Sequence, residues 1–167
     1  MWGVCFLLLL FNLINLSVPS IGLAISVQRL SLEQLARQAD LIVKGRIQDI
    51  RNQTSQDRSA ITTVVVLPIE KQWKGPNVSM VTVRQPGGSA GEITQRVMGL
   101  PEFAVGEEVV LFLRKQADGR YATVGGKQGK FTVRINPQSG KEMIEDLTGK
   151  EQELGEFLSR LKETLSR

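Results

Sequence analysis

Gly87-Gly88-Ser89-Ala90-Gly91 is the stretch of this chain whose residue types match a catalytic pattern, the G-x-S-x-G of a hydrolase nucleophile elbow. That chemistry needs a strand before the serine, a helix after it and a base to accept the hydroxyl proton. The 167 residues include no histidine, and Glu92-Ile93-Thr94-Gln95 carries no helical pattern. A Ser89–lysine dyad or a pair of carboxylates stays open as a second, histidine-independent hydrolase reading. A glycine-rich loop between strands explains the same residues more simply, because so short a motif arises easily. The glycines could also cradle a phosphate, but no Gly-Lys-Ser/Thr and no helix start follows them. Gly125-Gly126-Lys127-Gln128-Gly129-Lys130 reads as tight turns for the same reason.

Metal chemistry finds little to work with. Glu142, Glu145, Asp146, Glu151 and Glu153 gather near the C-terminus, yet their spacing fits no EF-hand loop. Zinc lacks its usual ligands, since there is no histidine and the single cysteine is Cys5. No catalytic residue, metal or cofactor is assigned. The residues that could contact a ligand are Trp73 and Lys74 at a basic turn, and Gly87, Gly88, Ser89, Arg96 and Phe103 in the long segment Pro86–Gly106. Long loops carried on a rigid scaffold are where binding residues concentrate.

The elements that must position these residues follow a leader. No charged side chain precedes Arg29, and Val4–Leu16 is an apolar core broken only by the asparagines Asn12 and Asn15. Pro19 and the small residues Gly22 and Ala24 complete the pattern of a secretory signal cleaved after Ala24. The residues expected to be exported therefore begin at Ile25 and number 143 (167 less 24), placing the protein in the secreted or periplasmic space. The alternative is an uncleaved N-terminal membrane anchor, which Asn12, Asn15, Pro19 and Gly22 disfavour. Without another cysteine the exported domain has no disulfide and must be held by packing.

The net charge of +4 is spread along predicted strands (Lys44, Arg46, Arg84, Lys130, Arg134) rather than clustered. That spread describes a solvated sheet face and no specific nucleic-acid site. Ser31-Leu32-Glu33-Gln34 predicts a capping box and a short helix to Gln38. Strands are predicted from Ala39 to Ile50, from Ile61 to Trp73, over Val78–Arg84 and Val109–Leu113, and over Arg120–Val124 and Gly129–Ile135. Gly45 marks a bulge or a tight barrel corner, and Pro68 a bulge or an edge. Thr148-Gly149-Lys150-Glu151 reads as a second capping box, opening a helix whose face is Leu154, Phe157, Leu158, Leu161 and Leu165. The pattern predicts a mainly β fold: a small closed barrel of five to seven strands (residues 25–147), with a short N-terminal helix and a C-terminal amphipathic helix (residues 148–167).

Ala39-Asp40-Leu41-Ile42-Val43-Lys44-Gly45-Arg46, Ile69-Glu70-Lys71-Gln72-Trp73-Lys74-Gly75 and Phe103…Gly106-Glu107…Val109–Leu113 resemble the opening of netrin-like modules, whose OB-type barrel is shared with tissue inhibitors of metalloproteinases. With Pro86-Gly87-Gly88 and Gln128-Gly129-Lys130-Phe131 the chain also resembles uncharacterised bacterial exported domains. The resemblance covers about residues 39–134 and implies an OB-like barrel with an extracellular binding role. The inhibitors chelate zinc through an N-terminal cysteine, which the chain from Ile25 onward lacks, so that mechanism does not transfer.

Together these features predict an exported, non-enzymatic binding or interaction domain whose partner is a protein or polysaccharide outside the cytoplasm, with membrane contact only if the leader is retained. A structural subunit that docks through its C-terminal helix is the remaining alternative.

Overall fold

Ser31 opens the first helix as expected. Its hydroxyl accepts a hydrogen bond from the Gln34 amide (3.2 Å), and the Gln34 side chain accepts one from the Ser31 amide (2.8 Å). These bonds satisfy amides that a helix start otherwise leaves without partners. The computed structural model describes residues 28–167; the leader, Cys5 and the cleavage site after Ala24 lie outside the described residues. No described helix is long and apolar enough to cross a membrane.

Helix α1 (Leu32–Gln38) leads into β1 (Leu41–Arg46), β2 (Asp49–Thr54), β3 (Ile61–Lys74) and β4 (Met80–Pro86). A small hairpin, β5 (Gly88–Ala90) and β6 (Ile93–Gln95), is followed by β7 (Glu108–Lys115) and β8 (Tyr121–Thr123). A 3-10 turn (Gly126–Gly129), β9 (Lys130–Ile135), β10 (Glu142–Glu145), β11 (Glu151–Glu153) and α2 (Leu154–Leu165) complete the chain.

Five strands close on themselves in the order β1-β3-β4-β8-β7 and back to β1. The β4–β8 contact is parallel and the others are antiparallel. This is an OB-like barrel, extended on the β7 side by β9, β10 and β11.

The barrel interior is filled by Leu41, Val43, Val65, Leu67, Val81, Val83, Val109, Leu111 and Leu113. Their neighbours Ile42, Val110 and Phe112 face outward into a second core with α1 and α2. Both faces of β1 and β7 are therefore covered, which is why these strands read as unbroken apolar runs rather than alternating ones. Phe112, Phe131 and Phe157 meet at centroid distances of 5.1–6.4 Å in that outer layer. Leu154, Phe157 and Leu161 of α2 are buried there, with Leu158 and Leu165 packed against them. The apolar face of α2 thus lies on the chain's own barrel.

Three expectations are corrected. The strand expected from Ala39 to Ile50 is two strands, because Ile47 is drawn to Glu107 and Gly106 by backbone bonds (both 2.8 Å) while Gln48 turns to Val66. The second helix does not start at Thr148. Asp146 accepts hydrogen bonds from the Thr148 hydroxyl (2.6 Å) and the Lys150 amide (3.1 Å), closing a β-turn into β11, and α2 begins at Leu154. Lys44 is not on a solvated face. It is 5% exposed, and its ammonium lies 2.6 Å from both Glu108 of β7 and Glu142 of β10.

Gly45 and Pro68 act together as a bend. A Cβ on Gly45 would fall 2.2 Å from the Pro68 carbonyl oxygen, and the β1–β3 register shifts at Lys44/Gly45. Pro68 sits where β3 changes partner, from β2 (61–66) to β1 (69–74). A residue without an N–H is tolerated there because no ladder bond is due from it.

Candidate functional site: the mouth of the barrel

The inward-facing row of side chains changes character at one end of the barrel. Val65 of β3 pairs with Val83 of β4, and both are fully buried. Two residues further out, in the same inward phase, Thr63 pairs with Gln85 on one side and with Asn52 of β2 on the other. An apolar wall thus ends in a hydroxyl flanked by two amides. The Thr63 hydroxyl is buried and donates to the Gly87 carbonyl (2.7 Å), with Asn52 Oδ1 at 3.0 Å. Gln85 Nε2 donates to the Pro101 carbonyl (2.9 Å), while Gln85 Oε1, like Gln72 Oε1 and Glu145 Oε2 elsewhere, is buried with no hydrogen-bond partner among the described residues. An unpartnered buried acceptor is costly and rare in a native fold.

These residues floor a groove of about 550 Å³, roofed by the segment from Gly87 to Phe103 and reached by Lys127 from the 3-10 turn. The roof is built by glycines that no other residue could replace without strain. Gly87 and Gly88 have φ of +93° and +131°, and a Cβ on Gly88 would lie 2.5 Å from Asn52 Oδ1 and 2.6 Å from Thr63 Oγ1. The chain then folds back as the β5–β6 hairpin, which takes both backbone groups of Ile61. Gly87 N–H donates to the Ile61 carbonyl (2.7 Å), and the Ile61 amide donates to Gln95 Oε1 (2.9 Å).

At its far end the roof is pinned again. The Lys127 amide donates to the Gly99 carbonyl (2.8 Å), and Phe103 packs onto the barrel core. Lys130 lies over the Phe103 ring (5.3 Å to its centre), donates to the Glu102 carbonyl and pairs with Glu107 (both 2.6 Å). Between the two pins Ile93 and Met98 stand in solvent, 63% and 94% exposed. A segment held at both ends and apolar at its apex is suited to meeting something else.

No protein-family model and no curated protein matches this chain.

Gly87, Gly88, Ser89, Arg96 and Phe103 all line the groove. Trp73 and Lys74 do not join them. They lie ten and eleven residues from Thr63 along β3, beyond the bend at Pro68 and at the other end of the strand. There Trp73 packs against the outer core. Lys74 donates to the Ala36 carbonyl (2.8 Å), placing a cation at the C-terminal end of α1 where the helix dipole favours one.

Ser89 lies in the short strand β5, with its hydroxyl 2.9 Å from that of Thr94, so the strand–turn–helix of a nucleophile elbow is absent. Among the described residues no group of three or more His, Cys, Asp or Glu side chains is placed to hold a metal. The C-terminal carboxylates are largely engaged: Glu142 with Lys44, Glu145 with Arg134 and Glu153 with Lys141.

Asn52, Thr63 and Gln85 went unpredicted. Their signal was present as polar residues that continue the inward phase of β2, β3 and β4 beyond the apolar run. It has meaning only once the register shows that the three stand side by side.

Proposed function

We propose that this chain is an exported binding domain that takes its ligand in the groove at the mouth of an OB-like barrel. The observation that carries this reading is the row Asn52–Thr63–Gln85, with an unpartnered buried oxygen on Gln85. A ligand N–H or O–H donor supplies the missing partner. Barrel mouths are common places for such sites, combining apolar walls with a few convergent polar groups. The floor includes the second and third barrel strands, the side on which OB barrels characteristically take ligands. In this reading the leader is removed after Ala24, the domain works outside the cytoplasm on a protein or polysaccharide, and its frame is akin to netrin-like modules.

The geometry of Ser89 favours binding over hydrolysis, because the chain has no histidine and its hydroxyl is bonded to another hydroxyl. The own-core packing of α2 likewise favours a free-standing module over a subunit docked through that helix.

The test is a two-dimensional NMR screen of the isotope-labelled exported protein against a panel of soluble glycans and short peptides. Shifts centred on Asn52, Thr63 and Gln85, and lost in a folded Gln85→Leu variant, are the expected result. Binding that ignores Gln85→Leu overturns the site. Labelling by a serine-reactive probe that disappears in Ser89→Ala overturns the non-enzymatic reading.

A further inference from the structure

Among the described residues, strand β2 leaves one side of its backbone unpaired. It pairs with β3 over all six residues, and no other described strand pairs with it. Open edges are normally kept short or charged because their free N–H and C=O groups invite another chain. The edge strands β11 and β6 follow that rule, with three residues each, and β11 carries Glu151 and Glu153. β2 does not follow it. It is twice as long, has no lysine or proline, and its only charges, Asp49 and Arg51, neutralise each other in an ion pair. Ile50 and Asn52 of this strand line the barrel-mouth groove.

We propose that the groove takes an extended polypeptide segment that adds to the open edge of β2 as a further strand. This deepens the binding reading above and rests on it. A strand matched to β2 is about six residues, or about 20 Å, long. Backbone bonds to β2 supply the affinity common to all such segments, and alternate side chains supply the choice.

The groove also sets that choice. Arg96 and Lys127 line it and make no ion pair among the described residues, against a single lining carboxylate, Glu102. Carboxylate side chains are therefore favoured at the rim, with apolar ones between Ile50 and Phe103. A sugar chain fits less well. It has no repeating N–H and C=O ladder to match an edge strand, and the only aromatic ring lining the groove among the described residues, Phe103, already carries the Lys130 ammonium on one face.

The experiment uses the full chain, expressed with its leader and recovered from the exported fraction. The probes are a capped octapeptide alternating valine and glutamate, the same peptide N-methylated at every second amide, a version with lysine for glutamate, and vesicles of equal phosphatidylglycerol and phosphatidylcholine. The valine–glutamate peptide is expected to slow hydrogen exchange of β2 amides and to bind about tenfold more tightly than either altered peptide. Arg96→Glu with Lys127→Glu, both at exposed positions, is expected to weaken it about tenfold while leaving the circular dichroism unchanged.

Equal binding of the N-methylated peptide, or no binding of the valine–glutamate peptide, overturns the strand. Binding to vesicles alone replaces it with a lipid-surface role for Ile93 and Met98. A peptide that shifts Thr63 and Gln85 but leaves β2 exchange unchanged overturns strand addition and keeps the groove. Silence at Thr63 and Gln85 with every probe overturns both.

Discussion

Replacing Gly88 with alanine places a methyl group 2.5 Å from Asn52 Oδ1 and 2.6 Å from Thr63 Oγ1, on a backbone with φ of +131°. The backbone alone costs an L-residue about 1–3 kcal/mol in that region. Relief of the clash requires Thr63 and Asn52 to retreat by about 1 Å, since carbon–heavy-atom contacts settle near 3.5 Å. That movement breaks the hydrogen bond from Thr63 to the Gly87 carbonyl, which contributes about 1 kcal/mol. The sum is about 2–4 kcal/mol, or a melting temperature lower by about 6–12 °C at about 3 °C per kcal/mol for a chain of this size. Gly91→Ala is the matched control. Gly91 also has positive φ (+60°), but a Cβ there meets nothing within 4 Å, so its cost is about 1 kcal/mol and about 3 °C. Differential scanning calorimetry of the two variants reads the difference directly. Equal melting points would refute the claim that the Asn52–Thr63 floor dictates the glycine, and with it the account of how the groove is shaped.

Phe157→Ala removes a ring that is 2% exposed and packed against Phe112 and Phe131. It should destabilise the fold by about 3–5 kcal/mol in urea unfolding. An unchanged midpoint would mean that α2 is not held by this barrel. Lys44→Met leaves Glu108 with Arg46 as its remaining ion pair and Glu142 half-exposed. The expected loss is about 2 kcal/mol, below the range for a fully buried pair because Glu108 keeps Arg46 and Glu142 is half-exposed to water. Burial pulls the Lys44 pKa down, but the hydrogen bonds its ammonium donates to Glu108 and Glu142, with the charges of those carboxylates, outweigh it and raise it above the ordinary 10.5. Its contribution is therefore complete below that value and is lost as pH rises through the higher folded-state pKa. Urea midpoints of wild type and Lys44→Met should accordingly differ by a constant amount at pH values well below 10.5 and converge only as pH rises beyond it, through the higher folded-state pKa. A gap that closes below pH 9 would refute the assignment.

Local signals carried much of this fold. The capping box at Ser31, the bend at Gly45 and Pro68, and the apolar runs Leu41–Val43 and Val109–Leu113 each rest on chemistry within a few residues. They were legible for that reason. Thr148 misled because a cap motif and a turn motif share the same side-chain hydrogen bonding, and only pairing with β10 decides between them. Lys44 misled because alternation shows that a residue faces away from its neighbours without showing whether another strand covers that side.

The sequence by itself determined the mainly β class with a helix near each end of the described residues, the uncharged stretch before Arg29, the absence of histidine, and the glycine-rich segment where Gly87, Gly88, Ser89, Arg96 and Phe103 lie. Only the tertiary structure decided which of these share a site. Trp73 and Thr63 belong to one strand yet stand at its opposite ends. Asn52, Thr63 and Gln85 come from three strands yet form one row, because strand register joins residues that chain distance separates. The open edge of β2 was likewise settled by what pairs with it and what does not, and a single strand's own residues cannot express that.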